Sequence, residues 1–257
     1  MNADDVHFIF RELDLDLPGG ILSVVGGNGI GKSTLLLLAA ARLFPVAGYI
    51  RLLHEKTSRW RDAAADPQRE HKAGHERNAL ASMIYQNMEF ENRYSVAELM
   101  ENVFSLGLHG NAEVGLIEEC RGVLDLGSLM KRRFQQLSKG EMQRVLIALA
   151  IIYGSVLIVM DESMFAMEEH QKEAAMEYLQ DYCRSRQRHV YFSAHNIHLC
   201  QKYADNMLLM RKDGNFVLGR TEEVCTRQEL ETAYQVPMET LHKREQLYRD
   251  MLIKESE

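Results

Sequence analysis

The stretch Ile21-Leu22-Ser23-Val24-Val25-Gly26-Gly27-Asn28-Gly29-Ile30-Gly31-Lys32-Ser33-Thr34 decides how the chain reads. Its first five residues are a short apolar, partly β-branched run, the composition of a buried strand. Four glycines then fall within six positions, and Ser33-Thr34-Leu35-Leu36-Leu37-Leu38-Ala39-Ala40-Ala41 is a strong helix former that stops before Pro45. The spacing Gly26-x4-Gly31-Lys32-Ser33 is that of a phosphate-binding loop. Glycine lets the backbone curl so that successive amides aim at one anion, and the positive end of the following helix adds to that field. The candidate phosphate ligands are Gly27, Asn28, Gly29, Ile30, Gly31, Lys32, Ser33 and Thr34. Lys32 would reach the β- and γ-phosphates, and the Ser33 hydroxyl would ligate Mg2+. The competing reading is a glycine-rich turn that binds nothing; the flanking strand and leucine-rich helix weigh against it.

Outside this stretch, composition sets the bounds. The chain has 257 residues, 46% apolar and 26% charged, which allows one large globular domain or two modest ones. A net charge of −7 does not favour nucleic acid as a partner. No apolar run approaches the roughly 20 residues that span a bilayer. The first five residues, Met1-Asn2-Ala3-Asp4-Asp5, lack the basic and apolar regions of a signal peptide. Cys120, Cys183, Cys200 and Cys225 are scattered with no C-x-x-C pair, so a reduced cytoplasmic protein without a cysteine metal site is expected.

In chain order, Val6 to Leu17 reads as one or two strands before the Pro18-Gly19-Gly20 turn, and Val46 to Leu53 as another. Glu55 to Asn78 is charged and poor in large apolar residues, which predicts a solvated insertion. Its Arg59, Arg61, Arg69, His71, Lys72, His75 and Arg77 would otherwise form a basic cluster for an acidic partner, but acidic residues interleave with them. Ala79 to Tyr85 is a short strand ending at Gln86. Apolar residues at helical spacing from Ser95 to Met130 predict a mostly helical segment. Ser138 with Glu141 forms a capping box for a helix over Met142 to Tyr153. Strands at Val156–Met160, Val190–Ser193, Asn206–Met210 and Asn215–Leu218 alternate with helices at Glu168–Arg186 and Ile197–Tyr203. A helical tail from Glu222 to Glu257 breaks at Pro237. Such alternation predicts a doubly wound α/β core.

The run Val156-Leu157-Ile158-Val159-Met160 ends in Asp161-Glu162. A carboxylate at the end of a buried strand beside a phosphate loop can hold Mg2+, and a second one directly after it can act as general base on an attacking water. Two solvated acids capping a strand end is the alternative.

Taken together, Gly26–Thr34, Gln86, Leu137-Ser138-Lys139-Gly140-Glu141, Asp161-Glu162 and His195 resemble the nucleotide-binding subunit of an ABC transporter. The resemblance covers nearly the whole chain. It implies a P-loop NTPase core with a mostly parallel sheet, an N-terminal antiparallel β part and an inserted helical subdomain. One ABC ATPase domain would occupy 1–257, with the helical subdomain at about 88–140 and the helical tail at about 222–257. The implied cofactors are ATP and Mg2+. The implied catalytic residues are Glu162, His195 and Gln86, with Ser33, Gln86 and Asp161 at the metal. Ser138 and Gly140 would lie in the signature at a helix N-terminus facing the nucleotide of a second subunit, so a head-to-tail homodimer is expected. Membrane permease subunits would be the further partners, with the chain peripheral on the inner face of the cell membrane.

Glu168-Glu169-His170-Gln171, His195-Asn196-Ile197-His198-Leu199, Tyr203-Ala204-Asp205, Gly219-Arg220-Thr221-Glu222-Glu223-Val224-Cys225-Thr226 and Ala233-Tyr234-Gln235-Val236 resemble the ATPases of iron-siderophore, haem and cobalamin importers. The chain departs from the family where Lys139-Gly140 replaces two glycines, Ser163 replaces a proline and Glu168 an aspartate. Phe8 and Phe10 read equally well as adenine-stacking aromatics and as strand core. The alternatives are an ABC ATPase with a role outside transport, or a degenerate ATP-binding regulatory module.

Overall fold

The computed structural model describes residues 9–63, 67–86, 88, 92–109, 115–194, 196–241 and 243. The quoted run forms strand β1 (Ile21–Gly26), buried along its whole length, and passes through the glycine loop into helix α1 (Lys32–Ala39). Two-residue strands β2 (Arg51–Leu52) and β3 (Glu55–Lys56) pair antiparallel. Helices α2 (Ser58–Ala63) and α3 (Pro67–Leu80) lead into strand β4 (Ala81–Ile84). Helices α4 (Val96–Leu106), α5 (Leu116–Val123) and α6 (Lys139–Tyr153) precede strand β5 (Leu157–Asp161). Then come α7 (Glu169–Arg186), β6 (His189–Ser193), α8 (Ile197–Tyr203), β7 (Asn206–Met210) and β8 (Phe216–Arg220). The short helices α9 (Thr221–Val224) and α10 (Arg227–Tyr234) follow.

The main sheet has the order β4-β5-β6-β1-β7-β8. Every neighbouring pair is parallel except β7 with β8, which the Asp213-Gly214 turn joins as an antiparallel hairpin. Parallel strands place their C-terminal ends on one edge, which is where ligands bind in open α/β sheets. That arithmetic gathers Gly26, Ile84, Asp161 and Ser193 at one edge.

Because side chains alternate across a strand, β1 feeds two cores. Leu22 and Val24 join Leu35, Leu36, Val159, Leu208 and Trp60 on one face. Ile21 and Val25 join Ile158, Phe192, Ile147 and Leu179 on the other. The start of β1 is pinned from two sides: the Gly20 amide donates to His189 Nδ1 at 2.9 Å and the Ile21 amide to Asp205 Oδ2 at 2.8 Å.

The α/β class, the mostly parallel sheet and the order of elements from β4 onward match the sequence reading. The antiparallel β element of the N-terminal part is the β2–β3 pair, whereas residues 9–17 carry no strand. There the alternation Asp14-Leu15-Asp16-Leu17 is satisfied by packing Leu15 and Leu17 against the α1-side core. An alternating pattern reports a buried face and not a ladder partner. Val6, His7 and Phe8 lie outside the described residues.

The charged segment after Glu55 differs more. It is largely helical, and Trp60, 3% exposed, fastens it to the core together with Ala73. Two of its basic residues are paired within the chain: Arg59 with Glu55 at 2.5 Å and Glu76 at 2.9 Å, and Arg61 with Asp62 at 3.1 Å. One buried indole outweighs a polar composition when ion pairs clothe the outer face. The expected helical tail is present to Tyr234 and again around Leu241; beyond 243 it lies outside the described residues.

Candidate functional site

At the β1–α1 junction Gly31 serves as N-cap with φ 107°, a left-handed conformation that glycine adopts without penalty. A Cβ there would stand 2.7 Å from Ile9 Cγ2 and 3.1 Å from Phe10 Cζ. Helix α1 has no side-chain cap and no acidic residue in its first turn. An uncapped helix N-terminus beside a glycine loop suits an anion by its dipole.

Lys32 is 6% exposed, and its ammonium donates to Gly26 O at 2.9 Å and Gly27 O at 3.1 Å. Burial lowers its pKa, partly offset by the negative charge of Glu162 and Asp161 nearby.

A cleft of about 350 Å³ opens over the loop. Asn28, Gly29, Gly31, Lys32, Ser33 and Thr34 line it from one side, and Gln86, Glu162 and Ile9 from the others. Ile30 turns away to pack on the α1-side core, and Gly27 takes part through the carbonyl that Lys32 holds.

Across the cleft, the Gln86 side-chain amide donates to Glu162 Oε2 at 2.6 Å. Asp161, 7% exposed, accepts at Oδ1 from the Ser193 hydroxyl at 2.7 Å, and the same hydroxyl accepts from the Glu162 amide at 3.0 Å. Glu162 has φ 48°, a left-handed backbone that costs an L-residue about 1–2 kcal/mol. From this turn its carboxylate reaches the Gln86 side-chain amide. The donors Ser33, Asp161 and Gln86 are hard oxygen ligands, few in number. They suit Mg2+, which takes one or two carboxylates plus substrate phosphates rather than a full protein cage. Among the described residues no cluster of three or more His, Cys, Asp or Glu forms such a cage.

Ser138 and Gly140 stand apart from this cleft, at the start of α6. Ser138 caps α6 in the expected capping box, its hydroxyl accepting from the Glu141 amide at 3.3 Å while its own amide donates to Glu141 Oε2 at 2.8 Å. A Cβ on Gly140 would meet Ala166 O at 2.6 Å, so that position is pressed against the segment after β5. Gln143 Oε1 accepts from the Ala166 amide at 3.0 Å in the same contact. The Lys139 ammonium lies 4.4 Å above the Phe165 ring, a cation–π contact within the chain. Glu168 is the N-cap of α7, paired with Gln171.

His195 lies outside the described residues. On one side of it Ser193 ends β6. On the other, Asn196 caps α8 through the Leu199 amide at 3.0 Å and donates to Glu169 Oε1 at 3.0 Å.

Two participants, Ile9 and Ser193, escaped the sequence reading, while Phe10 and Ser163 were singled out there without their contacts. Ile9 lines the cleft, and Phe10 packs on the core with its ring edge at Gly31. Ser193 faces Asp161 in the β5–β6 register. The signal for it was one hydroxyl closing the apolar run Val190-Tyr191-Phe192, legible only once β6 is known to lie beside β5. Ser163, 2% exposed, donates to Ile84 O at 3.1 Å.

Residues 10–164 match the family described as ABC transporter. The hemin import ATP-binding protein HmuV of Escherichia coli O157:H7 is 28% identical over 232 residues, covering 86% of this chain and 84% of that one. The molybdate import ATP-binding protein MolC of Haemophilus influenzae is 27% identical over 245 residues, covering 90% and 84%. Among solved structures, the ATP-binding cassette MJ0796, in a dimeric post-hydrolysis state bound to ADP and Pi, superposes with a TM-score of 0.70. It is 20% identical, covering 86% of this chain and 94% of that one, so it speaks to the fold. With a family match that runs from before the phosphate loop through the strand end at Asp161-Glu162, the chain belongs to the ABC transporter family and is one of its ATPases.

Proposed function

We propose that this chain is the ATP-hydrolysing subunit of an importer, made of one ABC domain with its helical subdomain at about 88–140. It works as a head-to-tail homodimer on permease subunits at the inner face of the cell membrane. The transported compound is an iron-siderophore, haem or cobalamin, a metal complex in each case. The observation that carries the reading is that Lys32, Gln86 and Glu162 converge on one cleft from three separate elements.

In this reading the amides of Gly27 to Thr34 hold the β- and γ-phosphates, and Lys32 adds its charge without leaving the loop. Ser33, Asp161 and Gln86 would hold Mg2+, which when bound would neutralise phosphate charge. Glu162 accepts the proton of the attacking water, and Gln86 orients the Glu162 carboxylate. His195 contacts the γ-phosphate. Ser138 and Gly140, remote from their own cleft, close over the partner's nucleotide, which makes hydrolysis depend on dimer closure. The hemin importer ATPase among the relatives supports a metal-complex cargo, whereas the molybdate importer ATPase serves an oxyanion and supports only the importer role.

Replacing Glu162 by Gln tests this. Hydrolysis is expected to fall by about 10²–10⁴-fold with ATP binding retained, leaving an ATP-bound dimer visible by light scattering. Persistent monomer in MgATP, or an unchanged turnover, refutes it.

A further inference from the structure

We infer that Ser193 and Ser163 are positioning residues that hold the Asp161-Glu162 turn from its two sides and so aim the Glu162 carboxylate at the cleft. The inference rests on the reading of Glu162 as the base.

Glu162 is a left-handed non-glycine residue directly after a buried strand. Such a conformation persists only where its surroundings over-determine it. Two buried hydroxyls do so here. Ser193 Oγ bridges the turn on the N-terminal side, donating to Asp161 Oδ1 and accepting from the Glu162 amide. One hydroxyl thereby fixes both the metal-side carboxylate and the peptide that launches Glu162. Its donor and acceptor capacities are used in a defined direction, because the amide can only donate and the carboxylate only accept.

On the C-terminal side, Ser163 Oγ lies 3.1 Å from Ile84 O and 3.2 Å from Asp161 O. Ile84 ends β4, two residues before Gln86. The hydroxyl thus ties the chain just after Glu162 to the chain just before Gln86, the two groups that meet at 2.6 Å. Both serines are 2% exposed, so water does not replace either hydroxyl once it is removed.

The test uses the full chain and steady-state MgATP hydrolysis, with Ser193→Ala, Ser193→Thr and Ser163→Ala made in the wild-type and Glu162→Gln backgrounds. In wild type, Ser193→Ala should lower kcat about tenfold, the contribution of one such hydrogen bond, with KM within about twofold. Ser193→Thr keeps the hydroxyl and should recover kcat to within about threefold. Ser163→Ala should lower kcat in the same direction, and it serves if Ser193→Ala does not fold. In the Glu162→Gln background Ser163→Ala should change the residual rate by less than about twofold, and Ser193→Ala should keep only the smaller part of its loss that runs through Asp161, because effects that run through one group are not additive. Equal losses in both backgrounds, an unchanged kcat, or a rise in KM alone overturns the inference. A Glu162→Gln protein that still turns over at the wild-type rate instead overturns the base assignment, and the two failures are told apart by that single variant.

Discussion

Replacing Gly31 by alanine probes the phosphate loop where its backbone is most constrained. The new Cβ meets two obstacles. At φ 107° an L-residue is strained, and αL-type strain costs about 1–2 kcal/mol. The methyl also sits 2.7 Å from Ile9 Cγ2 and 3.1 Å from Phe10 Cζ, closer than carbon atoms pack. Ile9 is half exposed and can swing away, so the overpacking cost falls near the low end of its usual range, about 1 kcal/mol. The sum is about 2–3 kcal/mol, which for a chain of 257 residues lowers Tm by about 4–12 °C. Gly27 in the same loop is the control, since its φ is not left-handed and a Cβ there meets nothing within 4 Å. Gly27→Ala should leave Tm unchanged or raise it slightly, by at most about 1 kcal/mol through the unfolded chain. Thermal unfolding by circular dichroism, without nucleotide, reads both. Equal Tm values for the two variants would refute the claim that the loop is pre-curled by the chain itself.

Two further outcomes follow from burial. Trp60→Ala should cost about 3–5 kcal/mol, measured by urea unfolding; a loss under 1 kcal/mol would mean that α2 and α3 are not fastened to the core. Cys120 and Cys183 are pushed by burial up to about 12 from 9.0, so the folded state binds their protons more tightly than the unfolded one. Their contribution is whole below pH 9 and is lost as pH rises toward 12, at up to about 1.4 kcal/mol per unit for each thiol. Urea midpoints should therefore hold between pH 8 and 9 and fall from pH 9 to 11, with both thiols unreactive to alkylation at pH 8; rapid labelling of the native protein would contradict the burial.

The chain's local chemistry specified a great deal by itself. Ile21–Thr34 announced a strand, an anion loop and a helix because glycine spacing, an ammonium and a hydroxyl are local requirements. Ser138 with Glu141 and the apolar run before Asp161 were legible for the same reason, since caps and buried strands are written in consecutive residues. Gln86 and His195 needed the family resemblance, because a lone glutamine or histidine carries no local pattern. What only the tertiary structure decided is everything that depends on neighbours distant in sequence. The alternation at 14–17 looks the same whether a ladder partner exists or not, and the fold supplies none there. Trp60 turned a polar segment into a docked helical pair. Ser193 and Ser163 became partners of Asp161-Glu162 only when β6 and β4 came to flank β5. Side-chain identity fixes which chemistry is available; strand order fixes which groups stand within hydrogen-bond reach, because that distance is set by pairings across more than 30 residues of chain.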